Sequence, residues 1–182
     1  MIITEKEVKL KNDLSIVLRS PTPSDANLLL DNLQCVLHES YKNMNDPADH
    51  YDNFPIEEEI KILENFSNAN DRFMISAFHL GKIVGNLGVV GNPKEISRHC
   101  ANIGMGIRKE YQGVGLGYQL LKYAIEASRL QDFKRLELTV RTFNTAGVKL
   151  YEKVGFQRIG RLNKKVFIDG EFHDEFSYQL LL

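Results

Sequence analysis

The chain has 182 residues, the size of one compact domain that can bury a substantial core. Its apolar share of 43% and charged share of 26% are ordinary for a globular protein, which argues against a disordered, collagen-like or disulfide-stapled chain. The 23 Lys and Arg residues nearly balance the 24 Asp and Glu residues, and the net charge of -1 provides no electrostatic footprint for nucleic acid or an anionic membrane. We therefore expect neither a nucleic acid nor a membrane as a partner.

The cysteines and the N-terminal segment indicate a compartment. Cys35 and Cys100 lie far apart and have no second Cys or His at metal-ligand spacing, which favours a reducing compartment and implies no metal. Residues 1–11 are too charged for a signal peptide, and no apolar run approaches the roughly 20 residues that a membrane span requires. These features predict a soluble, cytoplasmic protein with a single domain over residues 1–182.

The front half of the chain predicts three strands and two helices. Strands are expected over residues 14–19, 73–80 and 82–90 because these runs are rich in β-branched and aromatic residues. The first helix follows a cap at Ser24 or Asp25, and the second begins at Pro55 and ends near Phe66. Between the two helices, residues 41–54 form a polar loop.

The second half alternates strands and helices before it ends in a hairpin. The pattern predicts a strand over 101–107, a helix over 116–130, a strand over 136–140, a helix over 145–154 and a hairpin of 165–168 with 171–181 around Asp169-Gly170. Gly155 is a natural cap for the last helix. The whole order predicts a mixed α/β (α+β) fold whose front half is antiparallel.

Five of the 13 glycines lie between Gly104 and Gly117, where a strand runs through a turn directly into a helix. Such a turn directs backbone N–H groups and the positive end of the helix dipole at one point, which favours a phosphate or pyrophosphate. The dinucleotide spacing fails because Tyr118 follows Gly115 where a third glycine is needed, and no Gly-Lys-Ser/Thr triplet follows the turn. The spacing that does fit is Gln112-x-x-Gly115-x-Gly117.

Two motifs together resemble a known family. The segment Gln112-Gly-Val-Gly-Leu-Gly117 resembles the acetyl-coenzyme A pyrophosphate loop of the GNAT acetyltransferase superfamily. Downstream, Asn144-Thr-Ala-Gly-Val-Lys-Leu-Tyr-Glu-Lys-Val-Gly-Phe156 resembles the second signature of the same family. The terminal hairpin is similar to the branch that acetylates protein N-terminal alanine, amino acids or polyamines.

The resemblance implies a GNAT fold, with a mostly antiparallel sheet of about seven strands, helices on both faces and one splayed pair of strands. Pantetheine is then expected between the strands 101–107 and 136–140, paired with the backbone near Met105 and Ile107. The N–H of Ile107 would polarise the thioester carbonyl. The implied cofactor-binding residues are Met105, Ile107, Gln112, Gly113, Val114, Gly115, Leu116, Gly117 and Asn144.

Tyr151 is the general acid that the resemblance implies, because its phenol can donate a proton to the departing thiolate. The alternative is that Tyr151 is a packing residue on its helix. Asn144 can likewise be a helix N-cap, either instead of or together with touching the coenzyme A arm. Basic side chains at Arg108, Lys109, Lys149 and Lys153 are expected either near the phosphates or simply in solvent.

The general base stays open in the sequence. Relatives in this branch often carry a Glu in the strand where Asn102 stands here, so His99, Glu95 or a water chain are the alternatives. Residues 41–59 hold six acidic residues and one Lys, a net charge of -5, which would draw a cationic amine past Tyr41, Tyr51 and Phe54. The same charges also suit solubility and the first turn of a helix.

The function that the sequence implies is an N-acetyltransferase that moves acetyl from acetyl-CoA to a primary amine of a protein N-terminus, amino acid, polyamine or similar acceptor. Transfer is expected by direct attack in a ternary complex, without a metal, and a homodimer is common in such folds. A longer acyl group is one alternative. The other is a non-catalytic coenzyme A-binding sensor or interaction module, which Asn102 favours and Tyr151 opposes.

Overall fold

The computed structural model describes the whole chain, from Met1 to Leu182, as eight strands and four α-helices. The front half contains β1 (Lys6–Lys9), β2 (Ser15–Arg19), α1 (Ala26–Ser40), α2 (Ile56–Asn68), β3 (Arg72–His79) and β4 (Lys82–Gly91). The second half contains β5 (Cys100–Ile107), α3 (Leu116–Leu130), β6 (Arg135–Arg141), α4 (Thr145–Lys153), β7 (Gln157–Ile168) and β8 (Glu171–Leu181). None of the helices combines the length and apolarity needed to cross a membrane.

The strands form one sheet in the order β1-β2-β3-β4-β5-β6-β8-β7. Every neighbouring pair is antiparallel except β5 and β6, which run parallel. The mixed, mostly antiparallel sheet confirms the predicted fold class, but the predicted count of about seven strands is one short. The missing strand is β1, in which Val8 alone is buried, so the segment carries almost no hydrophobic pattern. The predicted start of β7 near Lys165 is also wrong, because β7 begins at Gln157 as an exposed edge strand.

Helices cover both faces of the sheet because the residues of its central strands alternate. Phe73 and Ile75 of β3 face the larger core, where the predicted apolar stripe of α3 packs. Met74, between them, joins the smaller core against Leu29 of α1 and Leu63 of α2. The sheet is therefore the middle of three layers, with α1 and α2 on one side and α3 on the other.

The parallel pair β5 and β6 separates after three residues. Hydrogen-bonded pairing joins Cys100–Asn102 to Arg135–Glu137 and then stops. Beyond that point β5 stays paired with β4 as far as Ile107, and β6 stays paired with β8 as far as Arg141. Each strand follows its antiparallel neighbour, so a gap opens in the middle of the sheet, as predicted for the splayed pair.

Candidate active site

A cavity of about 630 Å³ fills the gap between the two separated strands. Its volume lies within the range of sites that enclose a drug-sized molecule. Met105, Gly106 and Ile107 of β5 line one side, and Thr139 and Val140 of β6 line the other. The turn before α3, one face of α4, the end of α1 with the loop after it, and residues 9–11 at the end of β1 complete the wall.

The backbone of β5 presents polar groups to this cavity. The N–H of Arg108 donates to the carbonyl of Val84 on β4 at 3.1 Å. Because successive residues of a strand direct their backbone groups to opposite sides, the N–H groups of Ile107 and Met105 face the gap that β6 has left. The Ile107 carbonyl on that side accepts a hydrogen bond from Nε2 of Gln112 at 2.8 Å, while the Ile107 N–H retains no protein acceptor. Met105 and Ile107 therefore line the gap, and their pairing with pantetheine stays a prediction.

The turn between β5 and α3 leaves a row of backbone donors without partners. None of the six consecutive N–H groups from Gly113 to Tyr118 donates to a protein acceptor, and the first helical bond runs from Gln119 to the carbonyl of Gly115 at 3.2 Å. Gly113 and Gly115 have φ values of 76° and 99°, a left-handed conformation that favours glycine. Such converging N–H groups at a helix N-terminus form an anion site.

The start of α3 is fixed by close packing. The side chain of Leu116 is fully buried, so this residue offers the turn only its N–H group. A Cβ on Gly117 would lie 2.8 Å from Cδ2 of Leu150 and 3.2 Å from Cδ1 of Ile107. Gly117 is therefore required because α3, α4 and β5 approach one another here, in addition to keeping the turn open.

Three lysines line the same end of the cavity. Lys9 and Lys11 come from β1 and the turn after it, and the N–H of Lys11 donates to the carbonyl of Val114 at 3.1 Å. The Nζ of Lys153 on α4 lies 5.2 Å from the centroid of the Tyr118 ring. Lys153 was among the basic residues considered from the sequence, but Lys9 and Lys11 were not. No local pattern indicates that the turn after β1 packs on the turn before α3, about a hundred residues later.

Arg108 corrects an expectation, since its side chain neither lines the cavity nor extends into solvent. It is 8% exposed and turns toward α1, where its Nη2 lies 2.5 Å from the Asp31 carboxylate and its Nε 3.3 Å from Oδ1 of Asn32. Lys109 is exposed, and its backbone N–H donates to the Glu39 carboxylate at 2.7 Å. Neither residue lines the cavity.

Tyr151 of α4 lines the cavity and is half-buried. Its hydroxyl has no hydrogen-bond partner in the protein, and its ring packs edge to face on Phe156 at 6.0 Å between centroids. Burial raises the pKa of Tyr151 to about 12, so the phenol stays protonated throughout the physiological range. Both the packing and the cavity-facing interpretation of Tyr151 thus have a structural basis.

Asn144 caps α4 and also lines the cavity. Its Oδ1 accepts a hydrogen bond from the N–H of Gly147 at 2.9 Å, which is the N-cap geometry expected from sequence. A Cβ on Gly147 would come within 2.9 Å of the same side chain. The cap therefore fixes the orientation of the Asn144 amide at the cavity wall.

The opposite end of the cavity, called the acceptor end below, is lined by Val36, Ser40, Asn43 and Met44 from the end of α1 and the following loop. Arg141 of β6 holds this loop, because its buried guanidinium donates to the Met44 carbonyl at 2.6 Å and pairs with Glu175. Sequence reasoning missed Arg141.

The acidic segment 41–59 contributes none of its carboxylates to the cavity lining. Asp52 instead bonds to His38 at 2.7 Å and to Gln34 at 3.0 Å. Glu59 is buried on α2, where desolvation raises its pKa to about 7. No Asp, Glu or His residue lines the cavity at all.

The aromatic residues expected along the acceptor path also lie outside the lining. The rings of Tyr51 and Phe54 pack against each other at a tilt, with 5.2 Å between their centroids, and neither residue lines the cavity. Tyr41 donates to Asp169 at the tip of the β7–β8 hairpin, at 2.9 Å. These residues order the loop that carries the acceptor end without forming its surface.

The candidate bases from sequence do not reach the cavity. Asn102 is exposed and lies at the paired end of β5 and β6, opposite the end where the strands have parted. His99 and Glu95 are exposed in the connection before β5. None of the three lines the cavity.

Comparison with known proteins agrees with this geometry. Residues 37–156 match the acetyltransferase (GNAT) family. N-alpha-acetyltransferase RimI of Mycobacterium tuberculosis is 36% identical over 97 residues, covering 50% of this chain and 55% of that protein. The chain spans about half the length of the curated relatives it matches.

Solved structures extend the likeness to nearly the whole chain. A GNAT-family acetyltransferase from Streptococcus pneumoniae superposes with a TM-score of 0.87 at 30% identity, covering 92% of this chain and 99% of that one. The Salmonella typhimurium protein yncA, solved with its cofactor acetyl-CoA, has a TM-score of 0.80 at 16% identity over 92% of this chain and 94% of its own, which shows a shared fold. This chain therefore belongs to the GNAT acetyltransferase family.

Proposed function

We propose that this protein is an N-acetyltransferase that moves the acetyl group of acetyl-CoA to a primary amine. The observation that carries the proposal is the row of six unpartnered N–H groups from Gly113 to Tyr118 beside a parted strand pair. A diphosphate fits the amides, and an extended pantetheine arm fits the open edge of β5. The lysines at the same end add positive charge for the phosphates.

In this proposal the residues bind the diphosphate, bind the pantetheine arm and stabilise the reacting atoms. Gln112, Gly113, Val114, Gly115, Leu116 and Gly117 form the pyrophosphate turn, and Met105, Ile107 and Asn144 bind the pantetheine arm. Acetyl-CoA supplies an activated thioester. The unpartnered N–H of Ile107 donates to the carbonyl oxygen as negative charge develops on it, and the protonated phenol of Tyr151 donates to the departing sulfur.

We propose direct attack by the amine in a ternary complex. The arrangement supports this because neither cysteine lines the cavity, and burial raises the pKa of the Cys35 thiol, which makes it a poor nucleophile. Both cysteines are free thiols, which suits the reducing cytoplasm, the location we propose. The acceptor amine would lie at the acceptor end, among Ser40, Asn43 and Met44.

A second candidate is a coenzyme A-binding sensor that has no catalytic activity. The observation favouring it is the lack of any carboxylate or imidazole in the cavity lining, since an alkyl ammonium must lose a proton before it attacks. Water that connects the acceptor end to solvent can accept that proton, so the lining is compatible with catalysis. An enzyme that prefers a longer acyl group is the third possibility.

Two measurements test these candidates. Calorimetry with acetyl-CoA and with S-acetylpantetheine, which lacks the phosphates and the adenosine, reports what the nucleotide end contributes to binding. We expect acetyl-CoA to bind on the order of a hundredfold more tightly, because hydrogen bonds to charged groups are worth about 1.5–3 kcal/mol each. A thiol-release screen then presents amino acids, peptides with free N-termini, polyamines and aminoglycosides, with acetyl-, propionyl- and butyryl-CoA as donors. Transfer to any amine supports the enzyme, tight binding without transfer to any amine supports the sensor, and equal affinity for the two thioesters rejects the phosphate site.

A further inference from the structure

The end of β5 is clamped to α1 by three side-chain hydrogen bonds. Arg108 contributes two of them, at 2.5 Å to Asp31 and at 3.3 Å to Asn32. The third runs from the N–H of Lys109 to Glu39 at 2.7 Å. Arg108 and Asn32 are buried, whereas Asp31 and Glu39 are exposed.

This clamp adjoins the proposed oxyanion donor. Arg108 directly follows Ile107, and both sides of the peptide group that joins them are held: the Arg108 N–H by Val84 at 3.1 Å and the Ile107 carbonyl by Gln112 at 2.8 Å. The Ile107 N–H belongs to the preceding peptide group, in which Gly106 is paired with Asn86 in the β4–β5 ladder. The peptide groups on both sides of Ile107 are therefore held, and together they set the direction of its N–H. The side chain of Arg108 extends that fixed unit to α1.

The helix that the clamp holds, α1, also forms part of the acceptor end of the cavity. Val36 and Ser40, on the C-terminal half of α1, line the cavity. The packing there has no slack, because a Cβ on Gly106 would lie 3.0 Å from Cγ1 of Val36. Any shift of α1 relative to β5 therefore changes the distance between the acceptor end of the cavity and the Ile107 N–H.

A buried polar chain anchors the clamp in the sheet. Asn32 accepts from Arg108 through Oδ1 and donates through Nδ2 to Oδ1 of Asn86 on β4, at 3.1 Å. If the Arg108 side chain were removed, the buried Asn32 oxygen would lose its donor. A buried acceptor without a donor is destabilising, which favours a shift of α1 that exposes this oxygen to water. A planar guanidinium can bond to Asp31 and Asn32 at once, whereas a lysine ammonium is a single point charge.

We propose that Arg108 is a positioning residue that fixes the acceptor end of the cavity at its reactive distance from the Ile107 N–H. The proposal rests on the proposed acetyltransferase function. It assigns to Arg108 a role in orienting the two reactants and none in binding the cofactor. Misplacement of reactants by about 1 Å can cost on the order of a hundredfold in rate, which sets the size of the expected effect.

The test compares Arg108→Met and Arg108→Lys with a matched control, Arg19→Met. Arg19, at the end of β2, likewise pairs with an aspartate next to α1, donating to Asp25 at 2.8 and 2.9 Å. Asp25 lies at the start of the helix, and neither residue lines the cavity. We expect Arg108→Met to lower kcat by about ten- to a hundredfold while Kd for acetyl-CoA stays within threefold of wild type. Arg108→Lys should recover part of kcat, and Arg19→Met should lower Tm while leaving kcat unchanged.

A folded Arg108→Met variant with kcat within threefold of wild type would overturn the proposal, as would a loss confined to acetyl-CoA affinity. If that variant does not fold, the double variant Asp31→Ala/Glu39→Ala removes exposed partners of the clamp and must also lower kcat; an unchanged kcat overturns the positioning role. A wild-type protein that binds acetyl-CoA but transfers to no amine would instead overturn the proposed function, and this proposal with it.

Discussion

Tyr151→Phe is the sharpest test of how the leaving thiolate is stabilised. The substitution removes only the hydroxyl and keeps the ring that packs on Phe156 at 6.0 Å. The hydroxyl has no partner in the protein, so its removal orphans no other group. Any change in rate therefore reports what the phenol does for the reacting atoms.

The size of the effect follows from the raised pKa. A phenol with a pKa of about 12 is about 3.5 units less acidic than a thiol of pKa near 8.5, so complete proton transfer to the thiolate is uphill by about 5 kcal/mol. A hydrogen bond to the developing charge is the larger available contribution, worth about 1.5–3 kcal/mol. That range corresponds to a decrease in kcat of about 10- to 150-fold.

The assay follows release of the coenzyme A thiol at saturating acetyl-CoA, with Kd measured separately by calorimetry. We expect Kd to change by less than twofold, and the wild-type kcat to show no loss from tyrosine ionisation between pH 6 and 10. Tyr123→Phe is the control, since its hydroxyl bonds to the Thr4 carbonyl away from the cavity. A Tyr151→Phe variant with both kcat and Kd within twofold of wild type would refute the role of the phenol and would leave Tyr151 as a packing residue, because phenylalanine keeps the ring.

Three further substitutions test the turn, the wall and a buried acid. Gly115→Val should weaken acetyl-CoA binding at least tenfold by calorimetry, because a branched side chain opposes φ of 99°, whereas Gly170→Ala, at φ of 84° in the hairpin, should leave Kd unchanged. Gly106→Ala should lower both Tm and kcat/KM for the acceptor, because the new Cβ would lie 3.0 Å from Cγ1 of Val36 on α1. Gly104→Ala is the control and should keep Tm, because a Cβ there would have nothing within 4 Å. Equal effects of the two substitutions would contradict the packing argument. Glu59→Gln should raise Tm at pH 8 but not at pH 4. Burial raises the pKa of Glu59 from 4.5 in the unfolded chain to about 7 in the folded protein, so the unfolded chain ionises first as the pH rises, and the free energy of unfolding falls by up to about 3 kcal/mol between those two pH values. A difference in Tm that does not depend on pH would contradict this.

The glycine turn and its flanking elements were predictable because their signals are local. Closely spaced glycines between a strand and a helix, an apolar stripe at helical spacing and short β-branched runs are each contained within about 15 residues. The amide row from Gly113 to Tyr118 follows from those signals alone. The splay of β5 and β6 was different, since it was implied only by the resemblance of the two motifs.

The partners of charged side chains were not predictable, because they depend on contacts between distant segments. Arg108 and Asp31 are 77 residues apart in sequence, and Arg141 reaches Met44 across 97 residues. A basic residue at a strand end is usually solvated, so a sequence pattern gives no reason to bury Arg108. The place of Lys11 in the cavity lining was not predictable for a similar reason. β1 has too little hydrophobic pattern to predict the hairpin that carries this lysine.

Charge is divided unevenly along the cavity, and this division bears on which amines can react. Lys9, Lys11 and Lys153 line the phosphate end, while the acceptor end is lined by neutral groups. An amine at the acceptor end must therefore arrive as its free base or lose its proton to water. At pH 7.5 an α-amine of pKa near 7.8 is about a third unprotonated, whereas an alkyl amine of pKa near 10.4 is unprotonated to about one part in 800. That difference of a few hundredfold favours α-amines of peptides or amino acids over polyamines, so in the acceptor screen kcat/KM should fall as the pKa of the amine rises.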